Sequence, residues 1–135
     1  EPSSPNYLQP GKRTAHTLNA WLVTRNDELA FVGGTPGGDV QVQSNTQILC
    51  NLIDFSMNPQ EAVEAPRWQH DAEGLKIERR VPMETLQTLE RRGHRVLLLP
   101  EWGQSGAVQV IAVHPESKAL LAGSDPRCDG HAAGW

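Results

Sequence analysis

Leu29-Ala30-Phe31-Val32-Gly33, followed by Gly34-Thr35-Pro36-Gly37-Gly38-Asp39 and then by the run Val40 to Phe55, is the stretch that decides the fold. The first five residues are an apolar strand. The next six are a turn that neither a strand nor a helix interior would accept, because Pro removes a donor and paired Gly weakens any regular element. From Val40 the pattern changes period. Ile48, Leu49, Leu52 and Ile53 fall at i, i+1, i+4 and i+5, the spacing of one apolar helix face, and Val42 and Asn45 extend that face one turn back. A strand that enters a long helix through a glycine-rich turn predicts a sheet with a helix packed on it.

Upstream, Ala20 to Thr24 reads as a strand joined to the first by the turn Arg25-Asn26-Asp27-Glu28, a hairpin signal. Downstream, Asn58 caps a short helix that starts at Pro59, runs to Glu64 and stops at Pro66. Leu75 to Glu78 is a short strand. Pro82 to Arg92 is the clearest helix, with Glu84 at its positive end, Arg91 and Arg92 at its negative end, Gly93 closing it, and Met83, Leu86 and Leu89 as its buried stripe. Three strands follow, His94 to Leu99, Ala107 to His114 and Lys118 to Ala122, the last two joined by the turn Pro115-Glu116-Ser117. The order ββαα, β, α, βββ predicts an α+β architecture with partly antiparallel sheets. Residues 1–11, with three Pro, Asn6 and Gly11, read as a linker or extended arm ahead of one domain over 12–135.

Composition excludes several function classes. The net charge is −4 with 21% charged residues, so no basic stripe is available to neutralise phosphates and nucleic acid is not an expected partner. Arg79-Arg80 and Arg91-Arg92 each stand beside a Glu and read as solvated faces. No apolar run reaches the roughly 20 residues of a membrane helix, and no membrane partner is expected. The two Cys residues set no disulfide framework; Cys50, inside the helical run, reads as a small buried hydrophobe. The sequence leaves the cellular compartment open.

Two stretches carry chemistry. In Thr35-Pro36-Gly37-Gly38 the glycine N–H groups are unshielded by side chains and stand at a helix start, where amides have no intrahelical acceptor and sit in the positive end of the macrodipole. Such amides suit the oxyanion of a tetrahedral intermediate; a tight turn is the structural alternative. Phosphate binding fails, because neither a Gly-Lys-Ser/Thr ending nor a Gly-x-Gly-x-x-Gly fingerprint is present. The second stretch, Arg13-Thr14-Ala15-His16-Thr17-Leu18-Asn19, gathers a cation, an imidazole, a hydroxyl and an amide, so His16, Thr17 and Asn19 are candidate substrate contacts beside a polar-entry-loop alternative. His70-Asp71 with Glu73 lacks a further ligand at metal spacing and reads as a surface loop. His94, His114 and His131 stand alone, and Asp125-Pro126-Arg127 reads as a turn held by an ion pair.

Taken in order, Gly11-Lys12-Arg13, Gly34-Thr35-Pro36-Gly37-Gly38, Asn51-Leu52-Ile53-Asp54-Phe55, Glu61-Ala62-Val63-Glu64-Ala65-Pro66-Arg67, Leu89-Glu90-Arg91-Arg92-Gly93-His94, Gly123-Ser124-Asp125-Pro126-Arg127 and the closing Ala133-Gly134-Trp135 resemble the C-terminal part of the small subunit of the gamma-glutamyltransferases. The resemblance implies an N-terminal-nucleophile hydrolase αββα sandwich with largely antiparallel sheets, made from a precursor that cuts itself. It implies an N-terminal Thr acting as nucleophile and base, upstream of residue 1, so this chain alone is expected to be inactive. Gly37 and Gly38 become the oxyanion donors. The implied partners are the large subunit, the remaining N-terminal part of the small subunit and a small-molecule amide substrate, with no cofactor. The family proper shows Pro-Leu-Ser-Ser-Met-Ser-Pro after Lys-Arg, whereas this chain has Thr14-Ala15-His16-Thr17-Leu18-Asn19-Ala20, a variant similar to oxamate amidohydrolase-like members. The expected activity is hydrolysis of, or acyl transfer from, gamma-glutamyl or related small amides. The alternative is a non-catalytic binding module on the same fold. Separated from its partners, the chain is expected to expose apolar surface and to associate with itself.

Overall fold

The structure is a computed structural model and describes residues 1–13 and 16–134. Thr14, Ala15 and Trp135, which belong to the variant segment and to the closing tail, lie outside the described residues. The strands are β1 (Ala20–Arg25), β2 (Glu28–Gly34), β3 (Trp68–Asp71), β4 (Gly74–Glu78), β5 (Val96–Leu99), β6 (Gln109–Val113) and β7 (Leu120–Ser124), and the helices are α1 (Gln41–Ile53), α2 (Pro59–Glu64) and α3 (Met83–Arg91). They form a four-stranded sheet in the order β1-β2-β6-β7, antiparallel throughout, and a three-stranded sheet in the order β3-β4-β5. The second sheet pairs β3 antiparallel to β4, but β4 and β5 run parallel because α3 makes the crossover between them.

The β1-β2 hairpin closes through Asn26 and Asp27, both at positive φ, as a two-residue turn that follows the strand twist demands. On the helix side of the four-stranded sheet, Trp21, Gly33, Val110 and Gly123 form one row. A side chain at Gly33 would collide with the Trp21 ring, and one at Gly123 would strike the Pro59 carbonyl of α2, so both glycines exist to let a bulky neighbour close onto the sheet. Ile48 and Leu52 of α1, Ala62 and Val63 of α2, and Val108 and Val110 complete this core. The capping box of α2 is present, with Asn58 Oδ1 accepting from Glu61 N at 2.9 Å and Glu61 Oε2 accepting from Asn58 N at 3.0 Å.

Several expectations are corrected. His70-Asp71, expected in a surface loop, closes β3: Trp68-Gln69-His70-Asp71 has too little apolar alternation to signal a strand, and α1 supplies what the sequence does not show. Gln47 accepts from Trp68 N at 3.0 Å and donates to Trp68 O at 2.9 Å, while Gln43 does the same for His70 at 2.8 and 3.0 Å. The two side-chain amides, one helical turn apart, stand in for a neighbouring strand and cover the sheet edge. The buried face of α1 keeps the expected Asn45, Ile48 and Leu52 but adds Gln41 and Ser44 in place of Val42 and Ile53. Val42 is 70% exposed and Ile53 44% exposed, because the polar positions of that face hold the segment before β1. Met83 is 63% exposed and leaves the α3 stripe to Leu86 and a half-buried Leu89. Cys50 is only half-buried; hydrogen bonding to Asp54 first, and burial second, push its thiol pKa up.

Candidate active site

Gly37 precedes a single 3-10 turn, Gly38–Val40, which leads into α1. Both glycines have positive φ, +120° and +56°, which turns successive amides outward. Both are exposed, and neither N–H has a protein acceptor among the described residues. A Cβ placed on Gly38 would meet open space, whereas one on Gly37 would press on Val40 and Gly106.

The segment ahead of β1 runs alongside this turn. Gln41 joins the two: its Nε2 donates to Thr17 O at 2.7 Å and to Thr35 O at 3.2 Å. Thr35 N donates to Asn19 O at 3.2 Å, and Asn45 Nδ2 donates to Asn19 Oδ1 at 3.0 Å. A cleft of about 450 Å³ results, lined by Thr17, Leu18, Asn19, Pro36, Gly37 and Gln41 among others. Of the residues singled out from sequence, Thr17, Asn19 and Gly37 therefore share one cleft, and exposed Gly38 adjoins it in the same turn. His16 is exposed and stands one residue before the cleft lining. Asn19 spends its carbonyl and its side-chain oxygen on bracing, so its Nδ2 is the group left to offer a ligand. Sequence reading puts Asn45 on the buried helix face but gives neither it nor Gln41 a part in the cleft, although polar residues at i and i+4 on that face are a readable signal.

Asp125 and Arg127, legible in the sequence only as a turn, belong to a buried ionic cluster. Asp125 receives Arg67 Nη2 at 2.6 Å and Arg127 Nη1 at 3.0 Å, and Glu78 receives Arg127 at 2.6 Å and Arg80 at 2.8 Å. The ion pair within Asp125-Pro126-Arg127 is thus present, but it is one edge of a cluster joining the two sheets. Arg80 is not the solvated residue expected; its guanidinium stacks 3.6 Å over the Trp102 ring. Burial alone would raise the Glu78 pKa, but the Arg127 guanidinium and the Arg67 and Gln104 amides outweigh it and hold the carboxyl below its usual value.

A carboxylate whose folded pKa is depressed stabilises the fold above its unfolded pKa, and that stability disappears as the pH falls through the folded value. Chemical denaturation should show an advantage of the parent over Glu78→Gln that is constant near neutrality and shrinks below about pH 4.3, the ordinary Glu value. An advantage that is unchanged down to pH 3 would remove Glu78 as an acid-sensitive joint.

Comparison with known proteins gives concordant results. The family profile described as Gamma-glutamyltranspeptidase matches residues 1–135. The chain is 37% identical over 139 residues to the Glutathione hydrolase-like YwrD proenzyme of Bacillus subtilis, covering 96% of this chain and 26% of that protein. It is 34% identical over 136 residues to the Oxamate amidohydrolase proenzyme of Klebsiella pneumoniae, covering 95% and 25%. Among solved structures, the cephalosporin acylase from Bacillus halodurans superposes with a TM-score of 0.84 at 39% identity over 100% of this chain and 25% of that one. The chain therefore spans about a quarter of the length of these relatives.

Proposed function

This chain belongs to the gamma-glutamyltranspeptidase family, and from that premise we propose that it is the C-terminal part of the catalytic domain of an amide-hydrolysing or acyl-transferring enzyme. Residues 12–135 contribute to that domain and 1–11 lead into it. The nucleophile is an N-terminal Thr upstream of Glu1, released when the precursor cuts itself. The observation that carries this reading is the exposed Gly37-Gly38 turn, whose two amides lack protein acceptors among the described residues and stand beside a cleft built from Thr17 and Asn19. In the reaction, the upstream Thr attacks the amide carbonyl, and the Gly37 and Gly38 N–H groups hold the oxygen that becomes negative. The amine leaves with a proton, and water or a second amine takes the acyl group. Thr17 and the Asn19 Nδ2 orient the donor, and the exposed His16 imidazole meets its polar end. The substrates are gamma-glutamyl or related small amides, with His-Thr-Leu-Asn favouring the oxamate type over the family's paired-Ser type.

Mass spectrometry of the full-length product tests this directly: two chains, with Thr at the new N-terminus, are expected. Assays on gamma-glutamyl-p-nitroanilide, glutathione, oxamate and simple acyl amides then identify the donor. An uncut product that binds these amides without turning them over would leave a binding module instead.

The remaining sheet face supports the partner assignment. On the side away from the helices, Leu22, Val32, Ile111 and Ala122 form an apolar row across all four strands, and Leu22 is 69% exposed. In the assembled enzyme this face packs against the second sheet of the αββα sandwich, supplied by the rest of the precursor. The isolated chain should therefore associate with itself at micromolar concentration and become monomeric when Leu22→Asp and Ile111→Asp are combined. Sedimentation velocity over a concentration series is the check; a parent chain that stays monomeric throughout would mean that this face needs no cover.

A further inference from the structure

Residues 100–108 carry the chain from β5 in one sheet to β6 in the other, and their attachments are unusually one-sided. Arg80 Nε donates to Glu101 O at 2.8 Å, and the guanidinium groups of Arg80 and Arg127 lie 3.6 and 5.1 Å over the Trp102 ring. Gln104 N donates to Glu78 Oε1 at 3.2 Å and Gln104 Nε2 to Lys76 O at 3.0 Å. Val108 N donates to Asp125 Oδ2 at 2.9 Å. Every one of these bonds but the one to Lys76 ends on the buried ionic cluster. Between Gln104 and Val108 the crossover touches the glycine turn. A Cβ on Gly106, whose φ is +83°, would sit 2.9 Å from Val40 Cγ2, 3.2 Å from Pro36 O and 3.3 Å from Thr35 Oγ1, and a Cβ on Gly37 would sit 3.2 Å from Gly106 Cα.

We infer that the crossover 100–108 is a strut that transfers the position of the buried ionic cluster to the Gly37-Gly38 amides, with Gly106 as the positioning residue at its contact point. This rests on the reading of those amides as oxyanion donors. Gly106 touches no substrate; it acts by fixing where the turn stands. Gly37 and Gly106 meet backbone to backbone, with the Val40 and Thr35 side chains packed beside that contact, so a displacement of one segment is passed to the other. Oxyanion donors act on charge that develops only in the transition state, so a shifted turn lowers kcat and leaves KM nearly alone.

The test uses the full-length, processed protein and whichever amide in the panel above gives the highest kcat/KM. Gly106→Ala should lower kcat by about tenfold or more with KM changed by less than about twofold, since small misplacements of catalytic groups have effects of this size. Adding Val40→Ala removes the nearest clashing methyl. It should restore part of the kcat while lowering the melting temperature further, a split that a purely structural role would not produce. Gly37→Ala is measured in parallel. If Gly37→Ala cuts kcat while Gly106→Ala does not, or if Val40→Ala deepens the loss, the strut is overturned and the oxyanion reading stands. If Gly37→Ala leaves kcat unchanged, the oxyanion reading fails and the strut falls with it.

Discussion

Gly37→Ala in the processed full-length protein should lower kcat by about 10²–10³-fold, the usual effect of losing one oxyanion donor. The reason is conformational before it is chemical. Gly37 sits at φ 120° and ψ 29°, a region closed to any residue with a Cβ. The added methyl would also stand 3.1 Å from Val40 Cγ2 and 3.2 Å from Gly106 Cα, and neither neighbour can retreat, because Val40 is buried and Gly106 is held by the crossover. The peptide plane between residues 37 and 38 must therefore rotate, which carries the Gly38 N–H away from its present direction. KM should change much less, because Thr17, Asn19 and Gln41 remain in place to bind the ground state. Steady-state kinetics, with the processed fraction counted by mass spectrometry, checks this. A Gly37→Ala enzyme with parental kcat would show that the turn only connects β2 to α1.

How much of this was readable from the sequence depended on the range of the interaction. The glycine turn, the Asn58 cap and α3 are encoded within a few residues, and each stands close to where its local signal puts it. β3 is invisible locally because its edge is completed by Gln43 and Gln47, more than twenty positions away, and its own residues are polar. The buried face of α1 departs in part from its local signal for a related reason. Gln41 occupies a position that a hydrophobic count assigns to solvent, yet it is buried because Thr17 and Thr35 lie against it. The site divides in the same way. Gly37 and Gly38 announce themselves by backbone chemistry, whereas Gly106 and Gln104 gain their meaning only when β5 and β6 are placed in different sheets. The ionic cluster is the extreme case: Arg67, Glu78 and Asp125 are separated by up to 58 positions and meet in the interior. The composition gives no hint that two of these carboxylates and their arginines are buried.

That cluster gives the second large effect, and its charge count predicts an asymmetry between partners. Three guanidinium groups, on Arg67, Arg80 and Arg127, face two carboxylates, on Glu78 and Asp125. Asp125 is fully buried and accepts four hydrogen bonds: from Arg67 Nη2, Val108 N, Arg127 N and Arg127 Nη1. Asp125→Ala removes the acceptor of all four, of which Arg127 Nη1 keeps a second one in Val63 O, and leaves Arg67, only 1% exposed, as a buried cation without its direct ion-pair partner. Removing one member of such a pair destabilises by about 3–5 kcal/mol, a large part of the roughly 5–15 kcal/mol that holds a domain together. Arg67→Met should be far milder, below about 2 kcal/mol. It leaves two guanidinium groups against two carboxylates, keeps Asp125 paired with Arg127, and removes the Arg67 Nε and Nη1 groups, which are buried with no protein acceptor among the described residues. Burial already holds the Arg67 pKa below the usual guanidinium value, against the pull of Asp125, so this cation is the one the interior accommodates least well. Urea denaturation of the two variants separates the possibilities. Equal losses would mean that Arg67 contributes as a packed arm of the cluster rather than as its surplus charge.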